Sequence, residues 1–106
     1  MTTGTTVVTA VFWPLDGRDK ELRDALSAAI PAVHAEEGCL LYALHEAADG
    51  SFVLIEKWAS QQALDAHAAG EPVKRLDASV EGLLRELPTV VTMVPAAGDG
   101  EGKGVL

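Results

Sequence analysis

The alternation of apolar and polar residues predicts a mixed chain with four β-strands. Four short segments are rich in β-branched and aromatic residues and are bounded by Gly, Pro or Asp, which is typical of strands. They cover residues 7–13, 40–47, 52–58 and 89–94. The Asp49-Gly50 pair between the second and third segments is a hairpin signal, so these two strands are expected to pair.

Apolar residues three and four positions apart predict a long helix after the first strand. Asp16 or Asp19 can cap it, Pro31 is expected to kink or loosen its last part, and Gly38 ends it. The apolar positions that carry this periodicity are Leu22, Ala25, Leu26, Ala29, Ile30 and Val33.

Two further helices are predicted between the third and fourth strands. Ser60 caps a short one that runs to about Ala69, and a longer one follows and ends at Pro88. The apolar stripe of the longer helix consists of Val73, Leu76, Val80, Leu83, Leu84 and Leu87. The resulting order, β-α-β-β-α-α-β, predicts a single ferredoxin-like α+β domain over residues 1–95 and a Gly-rich tail over 96–106.

Both faces of the predicted sheet carry apolar side chains. In the third strand Phe52, Leu54 and Trp58 alternate with Val53 and Ile55. Helices can cover only one face of a four-stranded sheet, and a strand that is apolar on both sides needs cover on both. We therefore expect a second subunit to cover the other face in a homodimer.

Composition and charge exclude several classes of function. The net charge of −8 and the absence of a basic stripe argue against a nucleic-acid partner. No apolar run approaches the ~20 residues that span a bilayer, and residues 1–6 have neither a basic region nor an apolar signal core, so we expect no export. Cys39 is the only cysteine, so we expect a reduced thiol, a cytoplasmic location and no cysteine cluster for zinc.

Glu56 is an acidic residue in an otherwise apolar strand. Because residues two apart share a strand face, it lies with Phe52, Leu54 and Trp58. A carboxylate in such surroundings must be paired or protonated. Glu56 is therefore a candidate catalytic acid or base, or else it is satisfied structurally by Lys57, an Arg or backbone donors.

His67 lies two turns into the short helix, on the same face as Ala63 and Leu64. That face must point inwards, and an imidazole there is suited to proton transfer near neutral pH. The alternative is a structural histidine at a subunit contact or bonded to a backbone carbonyl. No histidine has a partner at metal-ligand spacing, so no metal site is predicted.

Aromatic residues complete a candidate small-molecule site. Trp58, Phe12 and Trp13 are expected to line a mostly apolar cavity, with Tyr42 either bonding a ligand oxygen or anchoring its hydroxyl to the backbone. Small-molecule sites typically combine such a lining with a few placed polar groups.

The residues around these positions resemble a known family. The pattern E-x-G-C-L-x-Y over Glu36 to Tyr42, then F-x-L-x-E-x-W over Phe52 to Trp58, and then His67 is similar to the antibiotic biosynthesis monooxygenases, which are small quinol-monooxygenase-like proteins that form dimeric α/β barrels. The resemblance covers about residues 6 to 95.

The resemblance implies an oxygenase that attacks electron-rich aromatics, such as a quinol or polyphenol, without flavin, haem or metal. His67 and Glu56 would then be catalytic, and Trp58, Tyr42 and Phe12 would bind the substrate in a dry cavity. The chain contains no Asn, so the Asn-Trp-His set of the haem-degrading branch cannot be assembled.

The resemblance leaves two other functions open. The protein could be an isomerase or a small-molecule binder of the same fold, or an interaction module that uses only its dimer face. Fold alone does not choose between these functions.

Overall fold

A computed structural model shows a four-stranded antiparallel sheet with helices on one side. It describes residues 4–96 and 102–106, so the predicted start at residues 1–3 and residues 97–101 of the predicted Gly-rich tail lie outside the described residues. The elements are β1 (Thr6–Phe12), α1 (Asp19–His34), β2 (Cys39–Glu46), β3 (Phe52–Trp58), α2 (Gln61–Ala68), α3 (Glu71–Val80) and β4 (Thr89–Met93). Their order and the sheet order β2-β3-β1-β4 are those of a ferredoxin-like α+β fold, which confirms the predicted class.

One face of the sheet, the helix-side face, forms the core with the helices. Strand register places Val8 opposite Glu56 on β3, and Tyr42 opposite the same Glu56 from the other side. Alternate residues of β1 and β3 are buried along their whole length, as expected for strands packed on one side. Trp58, Leu22, Leu26 and Leu54 are among its most completely buried side chains.

The opposite face, called here the outer face, is apolar but carries none of the helices in the described residues. It consists of the residues that alternate with the core, including Val7, Val11, Val53, Ile55, Val91 and Met93. Val91 is 44% exposed and Met93 37% exposed. The two-sided apolar pattern in the sequence therefore reflects two apolar faces, of which the helices cover one.

The predicted cap of α1 is wrong. The helix begins at Asp19 with Arg18 at the cap position, and no side chain caps it by a hydrogen bond. Arg18 instead forms an ion pair with Glu21, one turn into the helix, at 2.9 Å. Pro31 lies inside the helix, which continues past it to His34.

The third predicted helix is too long at its C-terminal end. α3 ends at Val80, and the chain then turns through Gly82, whose φ of +81° favours glycine. Leu84 then pairs with Pro14 in an isolated β-bridge, and Leu87 is 86% exposed. The apolar residues after Val80 thus matched helical spacing without forming a helix.

No helix in the described part of the chain is long and apolar enough to cross a membrane.

Candidate active site

A cavity of about 400 Å³ lies between the helix-side face of the sheet and helices α2 and α3. Its walls are mostly apolar and come from all four strands and both helices. Val90 on β4 borders the cavity and is 61% exposed. Phe12, Tyr42, Glu56 and His67, four of the predicted site residues, line it.

Helix α2 brings His67 into this cavity. The Ser60 hydroxyl oxygen accepts a hydrogen bond from the backbone N–H of Ala63 at 3.1 Å, as the predicted cap requires. His67, two turns further on, is buried.

α2 approaches the chain at Gly38 so closely that a Cβ there would lie 2.5 Å from the Ala63 side chain, and Gly38 also has a φ of +83°. Only glycine fits at this contact.

Glu36 holds the His67 ring in one orientation. Its two carboxylate oxygens lie 3.1 and 2.9 Å from His67 Nδ1. Since a carboxylate can only accept, Nδ1 carries a hydrogen and donates it. The neutral ring therefore keeps its lone pair on Nε2, which lies on the side of Glu56 at 4.0 Å.

Glu56 is buried beside this ring. Its Oε1 accepts a hydrogen bond from Trp58 Nε1 at 3.0 Å. Burial raises the pKa of Glu56 above its usual value, although the Trp58 hydrogen bond and His67 act in the opposite direction. Lys57 is not its partner, because that side chain donates to the Leu106 carbonyl oxygen at 2.7 Å.

Glu56→Gln is expected to raise the melting temperature at pH 7. The raised pKa means that folded protein binds more protons than unfolded protein between the normal and the raised pKa, so wild-type stability falls as pH rises through that window. Gln cannot ionise and can still accept from Trp58. Thermal unfolding should show a gain at pH 7 that shrinks towards pH 4. The exposed Glu37→Gln is the control and should change stability by no more than about 0.5 kcal/mol.

Trp58 lies behind the cavity rather than at its wall. It is completely buried, and its ring packs on that of His67 with centroids 4.4 Å apart. The expectation that Trp58 borders the cavity with Glu56 and His67 is therefore wrong for Trp58, although it contacts both residues. Trp13 also lies elsewhere, in a shallow depression beside Pro14.

Tyr42 presents its ring edge to His67, with centroids 5.8 Å apart. Burial, and then the charge of Glu56, raise the pKa of Tyr42, so its hydroxyl stays protonated. The Tyr42 hydroxyl forms no hydrogen bond with a residue of 4–96 or 102–106, so the predicted backbone anchor is not formed within these residues. The Tyr42 hydroxyl is thus a donor at the cavity.

Comparison with known proteins assigns the family. Residues 5–79 match the family model described as "Antibiotic biosynthesis monooxygenase". A Mycobacterium tuberculosis protein named "Putative monooxygenase Rv0793" is 36% identical over 94 residues, which span 88% of this chain and 93% of that protein. The chain belongs to the antibiotic biosynthesis monooxygenase family.

Solved structures agree with this family assignment. The structure of Rv0793 superposes with a TM-score of 0.82 at 35% identity, covering 89% of this chain and 97% of that one. The structure of PA3566 from Pseudomonas aeruginosa gives 0.81 at 26% identity, covering 92% and 99%. The family predicted from the sequence is thereby confirmed.

In this antibiotic biosynthesis monooxygenase family member, Glu36 is a site residue to which the sequence assigned no role. It stands in the E-x-G-C-L-x-Y pattern that carries the resemblance, two residues before Gly38. An acidic residue just after a helix is ordinarily a solvated surface group, and only its contact with His67 distinguishes it. Among the described residues, no three His, Cys, Asp or Glu side chains are placed to hold a metal ion together.

Proposed function

We propose that the protein is a cofactor-independent monooxygenase that oxidises a small quinol or polyphenol with dioxygen. The observation that supports this most is the Glu36–His67–Glu56 arrangement at the wall of a mainly apolar cavity. In this arrangement His67 is an oriented base and Glu56 is a buried carboxyl group, and both reach the space where an aromatic ring would lie. In this proposal His67 and Glu56 are catalytic, and Tyr42 and Phe12 contact the substrate.

The reaction begins with removal of a phenolic proton. The Nε2 lone pair of His67 takes the proton, and the Glu36 carboxylate stabilises the imidazolium that forms. The phenolate passes one electron to dioxygen, and the two radicals combine to form a carbon–oxygen bond. Loss of water from the resulting hydroperoxide leaves a hydroxyquinone, so one hydroquinone and one O₂ give one hydroxyquinone and one H₂O. His67 returns its proton to the departing oxygen.

The surroundings of the base favour this reaction. Apolar walls keep water from the phenolate, which makes it a better electron donor and protects the radical pair. Tyr42 can donate a hydrogen bond to an oxygen of the ring. Trp58 does not touch the substrate in this proposal, and it fixes Glu56 and supports the flat side of His67 instead.

Oxygen uptake with a panel of hydroquinones tests the proposal. We expect consumption of one O₂ for each quinol and incorporation of one labelled oxygen atom from ¹⁸O₂ into the product, with the rate unchanged by a chelator. Failure of every quinol to support uptake would overturn the monooxygenase proposal. Turnover that persists without oxygen would assign the same base to an isomerase instead.

A homodimer is the second part of the proposal, supported by the uncovered apolar outer face of the sheet. A stable interface there would bury roughly 2,000 Å² in total. Sedimentation at micromolar concentration should give twice the chain mass of 11.1 kDa. Ile55→Lys, which places a charge on the outer face, should give the monomer. The control Ala78→Lys adds the same charge on the exposed side of α3 and should remain dimeric.

We also propose that the protein works in the cytoplasm, because the single free thiol of Cys39 suits a reducing compartment.

A further inference from the structure

The charged residues around the cavity are almost all acidic. Glu56 lies inside it, and two exposed acidic residues stand at its opening, Asp65 on α2 and Asp77 on α3; these two are called the mouth pair here. His67 is the only basic group on the wall, because no Lys or Arg appears among the described residues that line the cavity. Arg75 on α3 borders a different groove, between α1 and α3.

Among the described residues, no cationic side chain forms a salt bridge with the mouth pair. Asp65 accepts a hydrogen bond from the uncharged amide of Gln61 at 2.9 Å, and neither Asp65 nor Asp77 takes part in a salt bridge within residues 4–96 and 102–106. Burial is the main cause of the raised pKa of Tyr42, the charges of Glu56 and Glu36 come next, and Asp77 acts in the same direction. Acidic groups therefore lie both at the opening and beside Tyr42, which is opposite Glu56 in the sheet.

His67 is poorly placed to offset these acidic groups for a bound anion. Its Nδ1 is already engaged by the Glu36 carboxylate at 2.9 Å, and its Nε2 lies 4.0 Å from Glu56. A positive charge on the ring would thus be matched by two carboxyl groups, the half-buried Glu36 and the buried Glu56, before any ligand arrives. A carboxylate or phosphate brought into the cavity would lose its hydration without gaining a cationic partner.

We infer that the cavity selects hydroxyl-bearing aromatics whose other substituents are uncharged or cationic, and rejects those carrying a carboxylate, sulfonate or phosphate. This selectivity rests on the proposed function in one respect, namely that the cavity is the substrate site. The mouth pair disfavours anionic aromatics at the opening, and Glu56 disfavours them inside the cavity. A phenol that donates its hydroxyl hydrogen fits this lining, because the acidic groups are acceptors.

The inference is tested by binding under anaerobic conditions, where no turnover occurs. Three probes share the 2,5-dihydroxyphenyl ring and carry one small substituent that is anionic, neutral or cationic: 2,5-dihydroxybenzoate, its methyl ester and 2,5-dihydroxybenzylamine. At low ionic strength, equilibrium dialysis should show the ester and the amine binding about tenfold or more tightly than the carboxylate. The ratio of ester or amine affinity to carboxylate affinity should fall in 0.5 M salt, because salt screens the exposed charges at the opening.

A double variant distinguishes the effect of the mouth pair on binding from the effect of the net charge of the protein. Asp65→Asn with Asp77→Asn should bring the ratio of ester to carboxylate affinity several-fold closer to one. The control Asp16→Asn with Asp24→Asn removes two charges from residues that do not line the cavity, and should keep the wild-type ratio. Both pairs are exposed, so neither is expected to unfold the protein.

The outcomes distinguish this inference from the proposed reaction. Equal affinity for carboxylate and ester in the wild type, an unchanged ratio in the mouth-pair variant, or binding of none of the three probes would overturn the inference. Charge selectivity without oxygen uptake would leave the inference standing and overturn the monooxygenase. Oxygen uptake as fast with the carboxylate as with the ester would support the monooxygenase and overturn the inference.

Discussion

Replacing His67 by Ala is expected to lower the rate of quinol-dependent oxygen uptake about 10²-fold or more, because a positioned acid–base group typically contributes that much. His67 is buried, lies on the cavity wall and has its lone-pair nitrogen directed by Glu36. The measurement is kcat for the best quinol of the panel, with circular dichroism to confirm that the helices and sheet are intact.

His45→Ala is the matched control. His45 lies on β2 opposite Val53 and is exposed, so its loss should leave kcat within about twofold, as for most surface substitutions. If His67→Ala keeps the wild-type rate while remaining folded, His67 is a structural residue. Glu56 would then be the group to test as the base, because burial raises its pKa towards the range in which a base works.

Glu36 is expected to produce the second large effect, although it does not reach the substrate. Glu36→Gln keeps the shape and one acceptor but removes the charge. Hydrogen bonds with a charged partner are about 1.4 kcal/mol stronger than neutral ones, which corresponds to roughly a tenfold loss in kcat. Glu36→Leu removes the hydrogen bond as well, so the ring loses its orientation, and about 10²-fold is expected.

The pattern of kinetic constants separates positioning from substrate binding. Since Glu36 acts through His67, both variants should lower kcat while KM changes little. Glu37→Gln alters the adjacent, exposed carboxylate and is the matched control. A Glu36→Leu enzyme with the wild-type kcat would show that the His67 ring is held by its packing on Trp58 and not by the carboxylate.

Local signals in the sequence determined most of the elements and their order. The Asp-Gly turn, the Ser60 cap and the alternating strands each depend on neighbours in the chain, and β3 and α2 lie where these signals place them. The end of α3 was mispredicted because apolar residues after Val80 kept helical spacing while Gly82 turned the chain. Leu83 and Leu84 pack on the core from that turn.

The site was predictable as a set of residue types but not as an arrangement. Strand alternation placed Glu56, Phe52 and Trp58 on one face, and helix periodicity turned His67 inwards. The packing of α2 on the sheet decides whether the Trp58 ring lines the cavity or is covered by another side chain. That ring is covered by His67, and no local pattern contains that information.

Only the tertiary structure decided the partner of His67. Glu36 and His67 are 31 residues apart, and they meet because Gly38 lets α2 approach the end of α1 more closely than any side chain would allow. The acidic mouth of the cavity has the same origin, since Asp65 and Asp77 belong to different helices that converge there. The sequence by itself determined the fold, the family and the candidate groups. Contacts between distant segments decided which of those groups form the site, because they depend on the packing of whole elements.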